Sequence, residues 1–228
     1  MNLFKKTEAV AIDGPAGSGK STVSRLVAAK LGYVYIDTGA MYRALTLKAM
    51  NEGVDLSKES DLISLSKKID LRLEPSSDPK STIRVFLDGQ DVSEDIRTLE
   101  VTVNVKHVAK VPEVRANLVK LQRRMARRSG GAVMEGRDIG TVVLKDAKHK
   151  FYVDATFDER VRRRLEELKA KGKPARKEDV AADLKARDHS DKTRDVGPLK
   201  QADDAVFIDT TDLTIDEVVH KITDLIRK

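Results

Sequence analysis

Three observations predict an α/β protein, with a doubly wound sheet of five parallel strands and helices on both faces. Short apolar segments alternate with amphipathic stretches along most of the 228 residues. A glycine-rich loop follows the first apolar segment and opens the next helical pattern. The alternation is interrupted once, by a stretch whose period of two predicts a small antiparallel lobe inserted into the sheet.

The core strands are predicted from apolar runs that are short, contain β-branched residues and are followed by polar residues or glycine. They lie at 9–12, 33–36, 131–134, 150–155 and 205–210. Amphipathic stretches that predict helices lie at 20–31, 40–52, 113–128, 158–170, 177–188 and 214–227. Strands and helices in this order are typical of a parallel sheet.

Residues 69–96 do not follow this rhythm. Two alternating segments are separated by a Pro/Ser/Asp turn, and Asp88-Gly89 precedes a third short strand, so a small antiparallel sheet is predicted. A helix near 98–110 completes the inserted lobe. We expect one domain over residues 1–228, with a core at 1–62 and 116–228, the lobe at about 63–115 and a helical lid at about 157–190.

The composition limits the range of partners. Lys and Arg outnumber Asp and Glu by 43 to 37, an excess that suits phosphorylated ligands, nucleic acid or an anionic membrane. The basic run at 120–128 contains no aromatic residue, which favours a solvated helix face over a base-stacking surface. No apolar stretch approaches the roughly 18 residues that span a bilayer. We therefore expect neither a nucleic-acid partner nor a membrane.

Cysteine is absent from the sequence. Disulfides, zinc–thiolate sites and cysteine nucleophiles are thereby excluded, and a reducing compartment is favoured. The first ten residues also lack the apolar segment of a signal peptide. The cytoplasm is the expected location.

The glycine-rich loop has the P-loop pattern, Gly14-x-x-x-x-Gly19-Lys20-Ser21, between a predicted strand and a predicted helix. Glycines let backbone N–H groups approach phosphates, and the helix N-terminus adds partial positive charge. Lys20 is expected to reach the β- and γ-phosphates of a nucleoside triphosphate, and the Ser21 hydroxyl to bind Mg²⁺, partly through water. The predicted triphosphate-binding residues are Gly14, Pro15, Ala16, Gly17, Ser18, Gly19, Lys20, Ser21 and Thr22.

A second stretch, "DTGAMYRAL" at 37–45, follows the second core strand and therefore lies at the carboxyl edge of the sheet, where such folds bind ligands. Arg43, about one helical turn further on, is placed to face a phosphate beside the P-loop. A P-loop alone permits GTPases, helicases, transporter ATPases and small-molecule kinases. The sequence has no NKxD-like guanine motif and is short for a helicase, so a small-molecule kinase is favoured.

Five stretches between residues 11 and 211 extend this pattern: "AIDGPAGSGKST", "YIDTGAMYRAL", "EGRDIGTVV", "ARDHSDKTRDVGPL" and "ADDAVFIDTT". In these stretches the chain resembles bacterial-type cytidylate kinases, a family of P-loop nucleoside monophosphate kinases in which the inserted lobe is also found. The resemblance implies a monomeric enzyme that uses ATP and Mg²⁺ to phosphorylate CMP, and dCMP as well, to CDP and dCDP.

The resemblance also implies roles for individual residues. Arg137 is expected to bind the CMP phosphate, Asp138 to orient neighbouring arginines and Asp191 to accept the ribose hydroxyls. Arg115 resembles a base-reading residue. The implied CMP-binding set is Thr38, Tyr42, Arg43, Lys106, Arg115, Arg137, Asp191 and Arg194. The implied catalytic set is Lys20, Arg137, Asp138, Arg163 and Arg187.

The chain departs from the family pattern at three points. Glu135 replaces an aspartate near the metal, Lys106 replaces a small hydroxyl residue near the base, and no Walker-B aspartate stands out. We therefore expect Mg²⁺ to be held by phosphates, Ser21 and water, with Glu135 or Asp138 further out. Lys106 is expected to point to solvent or to cytosine O2, which preserves the preference for cytosine. If it pointed to N4, UMP would also be admitted.

The reaction needs no general base, because a phosphate acceptor is already mostly dianionic at neutral pH. Catalysis then consists of alignment and charge neutralisation, with the arginines of the lid helix at 158–168 closing over the phosphoryl group. Two alternatives stay open. One is another small P-loop kinase, acting on UMP, on dCMP broadly or on shikimate; the other is a nucleotide-binding regulatory module whose basic helices contact RNA.

Overall fold

The computed structural model describes residues 8–76, 83–170 and 172–227. Five parallel strands form the main sheet in the order β2-β6-β1-β7-β8, which confirms the predicted core. The strands are β1 (Glu8–Asp13), β2 (Val34–Asp37), β6 (Gly131–Gly136), β7 (His149–Asp154) and β8 (Val206–Asp209). The central position of β1 brings its carboxyl end between those of β6 and β7, where such sheets bind ligands.

The helices lie close to the predicted positions. They are α1 (Lys20–Leu31), α2 (Thr38–Asn51), α3 (Glu59–Lys68), α4 (Leu99–Ala109), α5 (Pro112–Arg128), α6 (Phe157–Ala170), α7 (Lys177–Thr193) and α8 (Ile215–Arg227). α1 packs against α8 and the sheet, while α2, α4 and α5 pack against one another. Ile12, Ile36 and Met134 are almost completely buried in the core between these layers.

Helix α3 was not predicted from the sequence. Its polar stretch "ESDLISLSKK" buries only Leu62, Leu65 and Ser66. The two leucines pack in a cluster with Leu45 of α2 and Leu118 of α5. Tertiary packing, rather than an apolar face legible in the sequence, stabilises this helix.

The inserted lobe contains the predicted antiparallel sheet of β3 (Leu71–Glu74), β4 (Arg84–Leu87) and β5 (Gln90–Asp91). Asp88 and Gly89, at φ 50° and 87°, make the two-residue turn between β4 and β5. Most of the predicted Pro/Ser/Asp turn, residues 77–82, lies outside the described residues.

The lobe has no separate apolar core among the described residues. Val85 and Leu87 of β4 belong to the same buried cluster as Ile36 and Met41. The predicted lobe limits at 63 and 115 fall inside α3 and α5, so helices run through both junctions.

Candidate active site

The P-loop connects β1 to α1 at the carboxyl edge of the sheet. A Cβ at Gly14 would overlap the carbonyl oxygen of Val153, and Gly19 caps α1 with φ 82°, so both positions require glycine. Lys20 is 7% exposed, and its Nζ donates to the carbonyl of Pro15 at 3.0 Å. The loop therefore holds its lysine inward, at the start of a helix whose first N–H groups are free for an anion.

The pKa of Lys20 is lowered to about 7, chiefly by burial and then by the positive charge of Arg137, while Glu135 and Asp191 act in the opposite direction. A buried ammonium beside a guanidinium is electrostatically unfavourable. An anion bound in the loop would remove this cost.

Glu135 of β6 is 2% exposed and lies beside this lysine. The Tyr35 hydroxyl donates to its Oε1 at 2.6 Å, whereas Oε2 is buried without a hydrogen-bond partner in the part of the chain that the structure describes. Burial and the charge of Asp37 raise the pKa of Glu135, and Lys20, Tyr35 and Ser21 lower it. A carboxylate oxygen that can still accept a hydrogen bond or bind a cation thus lies close to the Ser21 hydroxyl.

These oxygens suit Mg²⁺, which is commonly held by one or two protein ligands together with phosphates and water. Within residues 8–76, 83–170 and 172–227, no group of three or more His, Cys, Asp or Glu side chains is arranged for a metal.

Three arginines form the positive part of the site. Burial lowers the pKa of Arg43 and of Arg187, and the charge of Arg137 lowers both further. The side chain of Arg43 forms no hydrogen bond or ion pair with any residue that the structure describes. Arg187 is paired only loosely, at 3.6 Å from Asp183. The three charges repel one another, and such a cluster is a binding place for a polyanion.

Arg137 itself is anchored by α7. Its Nε donates to Oδ2 of Asp191 at 2.6 Å, and Nη1 of Arg194 lies 3.4 Å from the other oxygen of the same carboxylate. The two arginines lower the pKa of Asp191 against the effect of burial. Asp191 therefore connects the end of β6 with the end of α7.

A second ionic group adjoins the first. Asp138 accepts a hydrogen bond from Nη2 of Arg115, and its other oxygen lies 3.9 Å from Nη2 of Arg194. The guanidinium of Arg115, which is 3% exposed, also lies 5.3 Å from the centre of the Tyr42 ring. Burial raises the pKa of Tyr42 to about 12. A Cβ at Gly197 would overlap both members of the Arg115–Asp138 pair, so this glycine lets the backbone cover it.

Helix α6, the predicted lid, contacts the P-loop directly. Nη1 of Arg160 donates to the carbonyl of Ala16 at 3.0 Å and to Asp188 at 2.7 Å. Arg163 donates to Oγ1 of Thr210 at 2.9 Å and to the carbonyl of Ser18 at 3.4 Å. Arg163 also donates to Glu159 at 2.8 Å, so the guanidinium groups of Arg160 and Arg163 are both bound to protein oxygens in this conformation.

The remaining predicted residues occupy separate positions. The Thr38 hydroxyl donates to the carbonyl of Glu135 at 2.7 Å, which joins the start of α2 to β6. Lys106 is exposed on α4, and its side chain has no hydrogen bond or ion pair with the described residues. The fold thus brings Lys20, Arg43, Arg137, Arg187 and Asp191 together and places Arg115, Asp138, Arg194 and Tyr42 next to them. Arg163 lies against the P-loop at Ser18, whereas Lys106 lies apart from all of these residues.

Comparison with known proteins agrees with this arrangement. A family model described as cytidylate kinase matches residues 10–228. This chain belongs to the cytidylate kinase family. The cytidylate kinase of Caldanaerobacter subterraneus subsp. tengcongensis is 49% identical to it over 99% of this chain and 97% of the relative. That of Pelotomaculum thermopropionicum is 50% identical over 97% and 96%.

Among solved structures, an uncharacterized protein from Eubacterium ventriosum shares the fold, with a TM-score of 0.51 at 12% identity and coverage of 97% of this chain and 99% of that one. Within the described residues, no helix combines the length and apolarity that a membrane crossing requires.

Two site residues, Arg97 and Asp13, were missed in the sequence. Arg97 of the lobe adds positive charge near Arg43. Arg164, one of the arginines expected in the lid, adds positive charge near Arg187. Asp13, the last residue of β1, is 3% exposed and accepts hydrogen bonds from the segment that follows Arg137. Asp13 could have been identified in the sequence as an acid at the end of an apolar strand, because burying a carboxylate there is costly unless it has partners.

Proposed function

We propose that this chain is a cytidylate kinase that transfers the γ-phosphoryl group of ATP to CMP, and also to dCMP, with Mg²⁺ as cofactor. The observation that carries the proposal is the set of incompletely neutralised arginines beside the P-loop lysine. The side chain of Arg43 has no hydrogen bond or ion pair among the described residues, and Arg187 has one long ion pair, at 3.6 Å to Asp183. Within the cytidylate kinase family, a phosphate acceptor accounts for this excess of positive charge.

The donor half of the mechanism rests on the P-loop. Its N–H groups and the N-terminus of α1 are positioned to hold the phosphates of ATP. Lys20 then exchanges the carbonyl of Pro15 for the β- and γ-phosphates. Because the phosphates stabilise the charged form, Lys20 is a full cation in the complex even though its pKa is low in the free protein.

The acceptor half rests on the arginines. Arg43, Arg137 and Arg187 are proposed to bind the CMP phosphate and hold its oxygen in line with the γ-phosphorus. Asp191 is proposed to accept the ribose hydroxyls, and Arg115 with Tyr42 to face the base. The acceptor oxygen is already ionised, so no side chain has to remove a proton.

Ser21 and Glu135 are the residues that would hold Mg²⁺, the former through its hydroxyl and the latter through its unpaired Oε2. The metal supplies charge neutralisation on the phosphates when it is bound. Asp138 is proposed to act only through Arg115 and Arg194.

The lid is proposed to close over the reacting phosphates and exclude water. Arg164 lies close enough to Arg187 to lower its pKa, and its Nη1 donates to Glu167 at 2.7 Å. Arg163 would have to give up its bonds to Thr210, Ser18 and Glu159 to reach a phosphate. The lid at about 157–190 and the lobe at about 63–115 are thus proposed as the moving parts of one domain.

A coupled assay of ADP release tests the function. We expect acceptor-dependent turnover with CMP and dCMP, weaker turnover with UMP and none with shikimate. Preference for UMP or shikimate would assign the chain to another small-molecule kinase activity. A lack of turnover with every acceptor, together with RNA binding, would indicate a regulatory module instead. Sedimentation of the same sample tests the proposed monomer, and cell fractionation tests the proposed cytoplasmic location.

A further inference from the structure

Asp13 is hydrogen-bonded to a segment that lies 126 residues further along the chain. One carboxylate oxygen accepts the N–H of Ile139 at 2.8 Å, and the other accepts the N–H of Gly140 at 2.8 Å. These amides open the five-residue helical turn Ile139–Val143, which directly follows Arg137 and Asp138. The first N–H groups of a helical turn have no partner inside it, so Asp13 caps this turn from another strand.

The residue in the capping position of the turn is Asp138, with φ −141° and ψ 29°. An aspartate there ordinarily accepts an N–H of its own turn. Asp138 makes no such bond. Its carboxylate instead accepts a hydrogen bond from Arg115 and lies 3.9 Å from Arg194.

We infer that Asp13 is a positioning residue of the acceptor site: it caps the Ile139–Val143 turn and thereby leaves the Asp138 carboxylate free to hold Arg115 and Arg194. One aspartate could not both cap the turn and hold the two arginines, so Asp13 does the first and Asp138 the second. The inference rests on the proposed function, because Arg115 and Arg194 matter through the acceptor that they face.

Replacement of Asp13 by asparagine would leave the Ile139–Val143 turn incompletely capped. Its carbonyl oxygen can accept one amide, but its NH₂ group would face the other N–H with no lone pair to offer. The carboxylate of Asp138 is then the nearest strong acceptor for the uncapped turn. As Asp138 turns towards those amides, its hold on Arg115 weakens, and the acceptor site loses its alignment while the P-loop keeps its sequence.

The kinetic test compares Asp13→Asn with Asp55→Asn. Asp55 accepts the N–H of Ser57 at 2.9 Å in an exposed loop, so the same substitution removes a local cap remote from the arginines. We expect Asp13→Asn to raise the KM for CMP about five- to tenfold, as loss of a helix cap would, and to leave the KM for ATP unchanged. Asp55→Asn should leave both unchanged. Equal effects of Asp13→Asn on the two substrates would overturn the inference.

A double-mutant cycle tests whether Asp13 acts through Asp138. In an Asp138→Asn background, the carboxylate that competes for the amides is absent, so adding Asp13→Asn should change the KM for CMP by less than about twofold. If the two effects multiply, Asp13 acts independently of Asp138 and the inference fails.

An NMR titration of the unmodified protein gives a readout that needs neither turnover nor a stable Asp13 variant. The charged groups around Asp13 are Arg137 and Asp138 after β6 and Lys150 of β7, with the Tyr152 hydroxyl as a further titrating group. Burial raises the pKa of Asp13 to about 6 against its two amide bonds. The Ile139 and Gly140 amides should therefore shift together with a midpoint near this pH, and should still do so in Asp138→Asn.

These outcomes separate the two proposals. If the unmodified protein shows no turnover with CMP, the proposed function is refuted. If it turns over CMP but the Ile139 and Gly140 amides do not titrate together at any acidic pH, only the role of Asp13 is refuted. Asp13→Asn, where it folds, should abolish that titration; its persistence would assign the titration to another group.

Discussion

Replacement of Arg43 by methionine should weaken substrate binding while making the free protein more stable. The side chain of Arg43 has no hydrogen bond or ion pair among the described residues. Burial and the charges of Arg187 and Arg137 lower its pKa against the opposing effect of Asp37. A lowered pKa of a base means that its charged form is disfavoured in the folded state. Methionine keeps an unbranched stem in the same space and removes this cost.

Arg137 provides the matched comparison, because Arg137→Met removes a second charge of the same cluster. Arg137 is bound to Asp191 at 2.6 Å, so its loss leaves that partly buried carboxylate without its closest partner. The two variants should therefore change stability in opposite directions.

The expected magnitudes follow from these contacts. Loss of one charge-assisted phosphate contact costs about 1.5–3 kcal/mol, or roughly 10- to 150-fold in kcat/KM for CMP, in either variant. Relief of charge repulsion in Arg43→Met should add about 0.5–2 kcal/mol of stability. The unpaired Asp191 in Arg137→Met should remove about 1–3 kcal/mol. For a chain of this length, each kcal/mol shifts Tm by roughly 2–4 °C.

Steady-state kinetics with CMP and ATP varied separately, and calorimetric Tm values without ligand, provide the measurements. We expect Arg43→Met to show a raised Tm, a reduced kcat/KM for CMP and an unchanged KM for ATP. A lower Tm would show that Arg43 stabilises the folded protein, contrary to this reasoning. A raised KM for ATP with unchanged CMP kinetics would show that Arg43 serves the other nucleotide.

Lys20→Ala should nearly abolish turnover in a folded protein, and unchanged kcat would refute the P-loop assignment. Burial lowers the pKa of Lys20 to about 7, and bound phosphates raise it again, so ATP binding at pH 8 should take up close to one proton. Calorimetry in two buffers of different ionisation enthalpy measures this uptake, which Lys20→Ala should lack. Asp191→Ala should lower the CMP/dCMP efficiency ratio, because dCMP offers one hydroxyl fewer; a constant ratio would argue against sugar contact. Lys106→Ser should leave the CMP/UMP ratio within a few-fold, since Lys106 is exposed. A rise above about tenfold would place Lys106 at the N4 edge of cytosine.

The parts of this protein that the sequence determined by itself are those whose chemistry lies within a few consecutive residues. The P-loop between strand and helix needs only local glycines, a lysine and a serine, and the five core strands are visible as short apolar runs. The Asp88-Gly89 hairpin is equally local, because its two residues adopt the positive φ angles that the turn requires. The family resemblance followed from the order of such local motifs.

Which charges are paired was decided only by the tertiary structure. The sequence presents Arg43, Arg115 and Arg137 alike. Within the described residues, the fold leaves the side chain of Arg43 without a hydrogen bond or ion pair, binds Arg115 to Asp138 and binds Arg137 to Asp191. The two aspartates lie 23 and 54 residues from their arginines, so spacing along the chain does not identify these pairs. Helix α3 also depends on the tertiary structure, because its leucines are buried only in a cluster that α2 and α5 complete.

The role of Asp13 shows this limit most clearly. The sequence places an acid before the P-loop, and nothing local says what it binds. Only the parallel pairing of β1 with β6 brings its carboxylate to the amides of Ile139 and Gly140. The physical reason is that a buried carboxylate must find donors wherever the fold supplies them, and here the fold supplies them 126 and 127 residues away.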